Sequence, residues 1–297
     1  MISRTTTSIM VRQAQRNLQF SMSQLATMQE RATSLKAINR PSDDPAATAD
    51  ALKVHAHQRA VEQYARNADN GDGWLTTVDT ALSSTTAIMN RVRALTQQGA
   101  NDGAMSQPAK DAIAVELKGL KEDLLRNANT SYLGRNVFSG NTDSGRAFDA
   151  TNYTFTGAPG ASVQRRIGDD ATVRVDADGS AIFGQGRPNS VFDLVDRIVT
   201  DLAPGGANIG AHLGELDGYM KGIVGHQAQI GAQQSQIDRA QASLLKEKGT
   251  LEAQRAGIED LDLGQAILDL KTQEVTYQAA LAVTARTLQP TLMDFLR

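Results

Sequence analysis

The stretch LDGYMKGIVGHQAQIGAQQSQIDRAQASLLKEKGTLEAQRAGI, residues Leu216 to Ile258, carries an apolar residue at every seventh position. Leu216, Ile223, Ile230, Ile237, Leu244, Leu251 and Ile258 keep that interval without exception. Such a heptad belongs to a helix that buries one narrow stripe against other helices. A helix over residues 208–258 would extend ~75 Å at 1.5 Å per residue, which predicts a rod. The flanking seam positions start apolar (Leu213, Met220) and become polar at Gln227, Gln234 and Gln241. Those glutamines are either polar layers that fix register or a solvated flank. Gly210, Gly214, Gly218 and Gly222 recur every four residues beside the seam. They mark either a groove for close helix packing or a weak helix start.

Two further seams lie upstream. Val11, Ala14, Leu18, Ser21, Leu25, Met28, Ala32 and Leu35 are spaced three and four apart on an otherwise polar segment. Arg40-Pro-Ser-Asp-Asp-Pro45 then ends one helix and begins another: a residue before proline avoids the α region, Asp44 can cap, and Pro45 suits a first turn. The next seam is Val61, Tyr64, Ala68, Gly71, Leu75, Val78, Leu82, Thr85, Met89 and Val92. Its phase survives Gly71 and Gly73, so one helix is expected through both, to about residue 98. Gly99 to Gly103 breaks it, and Ser106-Gln-Pro108 opens another helix that ends near Asn129.

Beyond Ile258 the seam shifts phase, to Leu263, Ile267, Leu270, Tyr277, Leu281 and Leu288, with Glu274 and Thr284 filling the remaining positions. A phase change turns the helix toward a different partner. It mirrors the break at Pro41 to Pro45, so the two ends read as one module. Charge agrees: residues 1–40 carry six basic side chains against one acidic, and residues 258–297 three against six. Opposite signs on two seamed helices favour their pairing.

Composition narrows the function classes. The chain has 297 residues, 42 of them alanine, with 13 aromatic residues, no cysteine and a net charge of −3. Alanine is the best helix former and permits close helix approach, so this composition suits thin helices better than a bulky core. Without cysteine there are no disulfides, Cys-ligated zinc sites or thiol nucleophiles. The near-neutral balance argues against general nucleic-acid binding, and no apolar run approaches the ~18 residues of a membrane span.

Six of the twelve Tyr and Phe residues fall in residues 132–187, which read as a small β insertion. Tyr153-Thr-Phe155-Thr alternates apolar and polar. Ala171 to Asp176 and Ser180 to Phe183 are expected to form a hairpin about Gly179. Candidate chemistry is sparse. Asp43-Asp44 beside Pro45 fits a helix cap far better than an acid/base pair. His55 and His57 lie ~200° apart on a helix and cannot share a metal. His212 and His226 have no ligand partner nearby in sequence. Asp176-Ala-Asp-Gly179 matches the start of a calcium loop but lacks the later ligands. No catalytic residue, metal ligand or cofactor is expected, and an enzymatic or ligand-binding β insertion is the remote alternative.

Arg40-Pro-Ser-Asp-Asp-Pro-Ala46, Asn67-Ala-Asp-Asn70, Ile258-Glu-Asp-Leu-Asp262, Thr276-Tyr-Gln-Ala-Ala-Leu281 and Leu292-Met-Asp-Phe-Leu296 resemble the flagellin superfamily at both ends of the chain. Where flagellins proper usually carry a Lys-Asp-Asp-Ala-Ala-Gly type of sequence, this chain has Pro-Ser-Asp-Asp-Pro-Ala. That difference and the Tyr-Gln-Ala-Ala-Leu ending are more similar to the hook-associated members than to flagellin itself. The resemblance implies a mainly α fold. Terminal coiled-coil arms (1–44 with 259–297) form the assembly module, an α-helical rod comprises 45–136 with 188–258, and a β-rich outer insertion covers 137–187. It implies an extracellular structural component of the bacterial flagellum, joining hook to filament and exported without a cleaved signal peptide. The partners implied are hook-associated protein 1, flagellin, an export chaperone and further copies of this chain in one layer. The alternative is a short flagellin that builds the filament itself. The expected subunit interfaces are Val11, Leu18, Leu25, Met28 and Leu35 on one arm and Leu263, Ile267, Leu270, Tyr277, Leu281 and Leu288 on the other. Stripes this narrow bury too little to offset ordering entropy alone, so the arms are expected to order fully only against neighbouring subunits.

Overall fold

The structure is a computed structural model that describes residues 2–288 except 102–104, 143 and 159, with side chains from Ile9 to Arg286. Its long helices are α1 (Ile2–Ser34), α2 (Pro45–Gly99), α3 (Gln107–Ala128), α5 (Val191–Asp201), α6 (Leu213–Glu259) and α7 (Leu263–Leu288). Six short strands and one short helix lie between α3 and α5: β1 (Ser131–Tyr132), β2 (Arg135–Asn136), β3 (Gln164–Arg166), β4 (Thr172–Arg174), α4 (Gly179–Phe183), β5 (Gly184–Gly186) and β6 (Asn189–Ser190). The strands pair only as antiparallel couples, β1 with β2, β3 with β4 and β5 with β6. The fold is therefore mainly α with a small β insertion.

The chain divides into two compact units. One comprises residues 1–60 and 247–297, the other residues 61–246. In the second unit the heptad of α6 is the spine of the core. Leu216, Ile223, Ile230, Ile237 and Leu244 are all buried, as are Ala68, Leu75, Val78, Leu82, Met89 and Val92 of α2. Each of these Leu, Ile, Val and Met side chains contributes ~1.5–3 kcal/mol when taken fully out of water. Two of the three glutamines beside the α6 heptad, Gln227 and Gln241, form polar layers against α2. Gln227 donates to Asp79 and Ser83, and Gln241 donates to Asp69, all on α2.

α2 runs through Gly71 and Gly73 because other elements press against both. A Cβ at Gly71 would lie 3.0 Å from Ile237 of α6 and 3.2 Å from Val175, and one at Gly73 would collide with the Tyr132 ring. Tyr132 packs beside Trp74, the single buried tryptophan, with ring centroids 5.8 Å apart. The β segment shares the helices' core. Phe148 is the hub of an aromatic cluster, 5.4 Å from Phe155, 5.7 Å from Phe183 and 5.3 Å from Phe192 between ring centroids. Asn67-Ala-Asp-Asn70 fastens the β3–β4 couple to α2: Asn67 donates to the Arg166 carbonyl, and Asn70 accepts from Arg165 Nε.

One expected hairpin is wrong. β4 pairs with the preceding β3, with Val173 opposite Arg165, and not with residues 180–183. Those residues form α4, because the Asp178 carboxylate accepts from the Ser180 and Ala181 backbone N–H groups and caps a helix. Gly179 serves close packing there, not a turn: a Cβ would stand 2.7 Å from the Phe138 carbonyl oxygen. The expected alternation at Tyr153 to Thr156 yields a single bridge, Phe148 to Phe155. The glycine stripe on α6 is open: at Gly214, Gly218 and Gly222 a Cβ would meet no other described atom within 4 Å.

Candidate assembly interface

The first unit is built on α1 against α7. On α1, Val11, Leu18, Leu25 and Met28 are half-buried, with Ala14 and Ala32 in the same stripe and Ser21 buried at its centre. These residues recur at three and four, so they line one helix face, and that face meets α7 of the same chain. Leu35 departs from the expectation. α1 stops at Ser34, and Leu35 follows with φ 59° and 54% exposure. There it turns the chain away from the seam.

On α7 the buried face differs from the predicted one. Leu270, Glu274, Tyr277 and Thr284 of the expected seam are half-buried, but Ala266, Gln273 and Ala280 join them in place of the bulkier residues. Leu263, Ile267 and Leu281 are exposed, and the Leu288 side chain lies outside the described residues. Apart from Glu274 at its edge, the set recurs at 4-3-4-3-4, a regular seam rotated toward the small side chains. The reason is steric: alanine lets two helices approach closely, whereas a bulky row would hold them apart. Gln273 donates from Nε2 to the Ser21 carbonyl and hydroxyl oxygens at 3.2 and 3.3 Å, a polar rung in the seam. Residue type alone selects Leu and Ile for a seam, which is why Ala266, Gln273 and Ala280 escaped notice.

The pairing leaves apolar side chains facing outward. Ile9, Phe20 and Met22 of α1 are exposed, as are Leu268, Val275 and Val283 of α7. Phe20 sits two residues beyond Leu18, ~200° around the helix, so it projects from the face opposite the seam. An apolar row away from the intramolecular contact is what a further helix would cover.

The connectors between the arm helices and α2 and α6 are tied to each other. Ala37 N donates to the Glu259 carbonyl, Leu261 N donates to the Leu35 carbonyl, and Lys36 bridges Asp260 in an antiparallel step. Asp44 is the cap of α2, accepting from Ala47 N at 2.9 Å, with Pro45 in the first turn. Asp43 closes the preceding loop by accepting from Asn39 and Arg40 N–H groups. His55 and His57 face separate carboxylates: His55 Nε2 lies 2.5 Å from Glu259, and His57 Nε2 lies 2.9 Å from Glu247. Burial pushes the Glu259 carboxyl up, but the hydrogen bond and charge of His55, with Arg255 and Lys36 adding to them, hold it below its ordinary value. Among the described residues no three His, Asp or Glu side chains are grouped closely enough to hold a metal ion. No described helix is long and apolar enough to cross a membrane.

Comparison with known proteins places this arrangement. The model of the bacterial flagellin N-terminal helical region matches residues 6–143, and that of the bacterial flagellin C-terminal helical region matches residues 213–296. Polar flagellin F of Vibrio parahaemolyticus is 30% identical over 182 residues, which span 61% of this chain and 46% of that protein. Flagellin of Bacillus subtilis is 27% identical over 268 residues, 86% of this chain and 87% of that one. Among solved structures, flagellar hook associated protein-3 from Legionella pneumophila superposes with a TM-score of 0.60 at 14% identity, covering 68% of this chain and 97% of that one. FlgL of Bacillus cereus does so with a TM-score of 0.59 at 18% identity, covering 69% and 99%.

Proposed function

This chain belongs to the flagellin family and is a structural component of the bacterial flagellum, and from that premise we propose that it is the adaptor between hook and filament. In this reading one end of its layer meets hook-associated protein 1, the other meets flagellin, and copies of the chain pack side by side. The observation that carries the reading is the reach of the fold likeness. This chain contains 97% and 99% of the two hook-associated structures named above. The Pro-Ser-Asp-Asp-Pro-Ala and Tyr-Gln-Ala-Ala-Leu sequences point the same way.

The assembly module is residues 1–44 with 259–297, residues 45–136 with 188–258 form the rod, and 137–187 face outward. The α1–α7 seam holds one subunit's arms together, and the exposed rows carrying Phe20, Val275 and Val283 receive arms of neighbouring subunits. The arms complete their ordering on assembly, because a helix pair this lightly buried gains most of its stability from packing against others. The chain leaves the cell unfolded by the flagellar export route, with a chaperone guarding the C-terminal arm beforehand.

The test is deletion of the gene. A mutant that keeps its hooks and sheds flagellin monomers supports the adaptor. Hooks bearing normal filaments refute it, and bare hooks without shed flagellin favour the second reading, a short flagellin, for which the extent of the Bacillus subtilis match is the supporting observation. Protease digestion tests the ordering of the arms: free monomer should be cut in residues 9–34 well before residues 61–95.

A further inference from the structure

His55 is held by acceptors at both ring nitrogens. Nε2 lies 2.5 Å from Glu259 Oε1 on α6, and Nδ1 lies 3.2 Å from Gln58 Oε1 one turn on in α2. The Gln58 amide is oriented by its other end, because its Nε2 donates to Glu252 Oε2 at 3.1 Å. The oxygen of Gln58 must therefore face the imidazole. A neutral imidazole has one N–H and one lone pair, so it can satisfy only one of these acceptors and turns a lone pair toward the other. Only the imidazolium donates to both.

We infer that His55 is a proton-operated latch: when doubly protonated it closes the chain Glu259–His55–Gln58–Glu252 and fastens the foot of α2 to the foot of α6. Loss of one proton opens it. The other charged groups facing this site are Arg255 on α6, which reaches Glu259 at 3.4 Å and Glu252 at 2.9 Å, and Lys36 and Arg40 of the connector. Arg255 stays on the carboxylates at every working pH, so it keeps them charged without replacing the imidazolium bridge. Arg40 is engaged by Glu30 at 3.1 Å. A cavity of about 240 Å³, lined by Lys36, Arg40, His55 and Glu259 among others, opens beside the ring and gives water access to it. The latch bears on the arm connectors because the Glu259 backbone carbonyl accepts from Ala37 N at 2.8 Å.

The sign follows from the chemistry of the pair. Histidine is the side chain whose charge changes nearest neutral pH, so acid closes the latch and alkali opens it. Glu259, held below the ordinary carboxyl value, stays an acceptor in both states.

Backbone hydrogen exchange of the full chain at pH 6 and pH 8, each rate divided by its intrinsic value, reads the latch directly. Protection of residues 50–60 and 250–259 is expected to fall at least about tenfold from pH 6 to pH 8, the scale of one hydrogen bond to a charged group. Residues 75–92 of the other unit should hold constant. His55→Gln and Glu259→Gln should each abolish the difference, and His57→Gln should retain it. Equal protection at both pH values in the unaltered chain overturns the inference, as does a pH difference that survives in His55→Gln.

Discussion

Gln273 on α7 donates to both the backbone carbonyl and the hydroxyl of Ser21 on α1, across 252 residues of sequence. Ser21 is the one buried polar side chain among the described residues of α1, so this rung fixes which turn of α1 meets which turn of α7. A seam of alanines and half-buried leucines would otherwise allow sliding. Gln273→Ala should lower the stability of the first unit by about 1 kcal/mol, because it leaves the Ser21 hydroxyl without its donor. Gln273→Leu should cost more in register than in stability. Disulfide trapping between introduced cysteines at Leu18 and Leu270 would measure that as additional cross-linked positions, and a single unchanged cross-link pattern would count against the register role.

The core of the second unit makes a cleaner energetic claim. Ile223 is 1% exposed in the α6 heptad, and the next residue, Val224, is 54% exposed. Ile223→Ala should destabilise that unit by about 2–5 kcal/mol through lost transfer energy and a residual cavity. Val224→Ala should stay within about 0.5 kcal/mol. Urea unfolding followed by fluorescence of Trp74, which is buried in the same unit, distinguishes them.

The contrast between those neighbours was legible in the sequence, since a seven-residue interval leaves little freedom about which side of α6 is buried. The same holds for the persistence of α2 through Gly71 and Gly73, although Ile237 and Tyr132, the partners that require glycine there, are non-local. Local pattern failed where short elements compete. Residues 181–183 form a short apolar run that reads as the second strand of a hairpin, yet the Asp178 cap, satisfied by two backbone N–H groups, favours a helix. On α7 it failed for a different reason. Hydrophobicity ranks Ile267 and Leu281 above Ala266 and Ala280, while the intramolecular seam is decided by how closely two helices approach. His55 was invisible as a latch because Glu259 stands 204 residues away in sequence.

Asp217 on α6 pairs with Arg93 on α2 at 2.7 Å. The hydrogen bond from Arg93 holds the Asp217 carboxyl below its ordinary value, against a smaller opposing effect of desolvation. The folded value thus lies below the unfolded one, so the pair's contribution is present above the unfolded value and is lost as pH falls through the folded value. Asp217→Asn should therefore be less stable than the unaltered chain at pH 7, with the gap closing as pH falls through the lowered value of the folded chain. Urea midpoints by Trp74 fluorescence at pH 7, 4 and 2.5 check this, and a gap that persists at the lowest pH would contradict it.

The exposed rows of the arms separate folding of the subunit from its assembly. Phe20, Val275 and Val283 are 67%, 64% and 61% exposed and lie away from the α1–α7 seam. Replacing all three by serine removes apolar surface that the isolated subunit already leaves in water, so its thermal midpoint should change by no more than a few degrees. Covered by neighbouring arms, each would contribute ~1–2 kcal/mol per subunit, and the loss is multiplied over every contact in the layer. The triple variant should therefore be secreted and folded, yet fail to join hooks or to support filaments in a strain lacking the native gene. Leu18→Ser with Leu270→Ser attacks the intramolecular seam instead, and should impair both the thermal midpoint and assembly. Normal filaments from the Phe20, Val275 and Val283 variant would show that these faces stay in water in the assembled flagellum, and that the arms meet their neighbours through other residues.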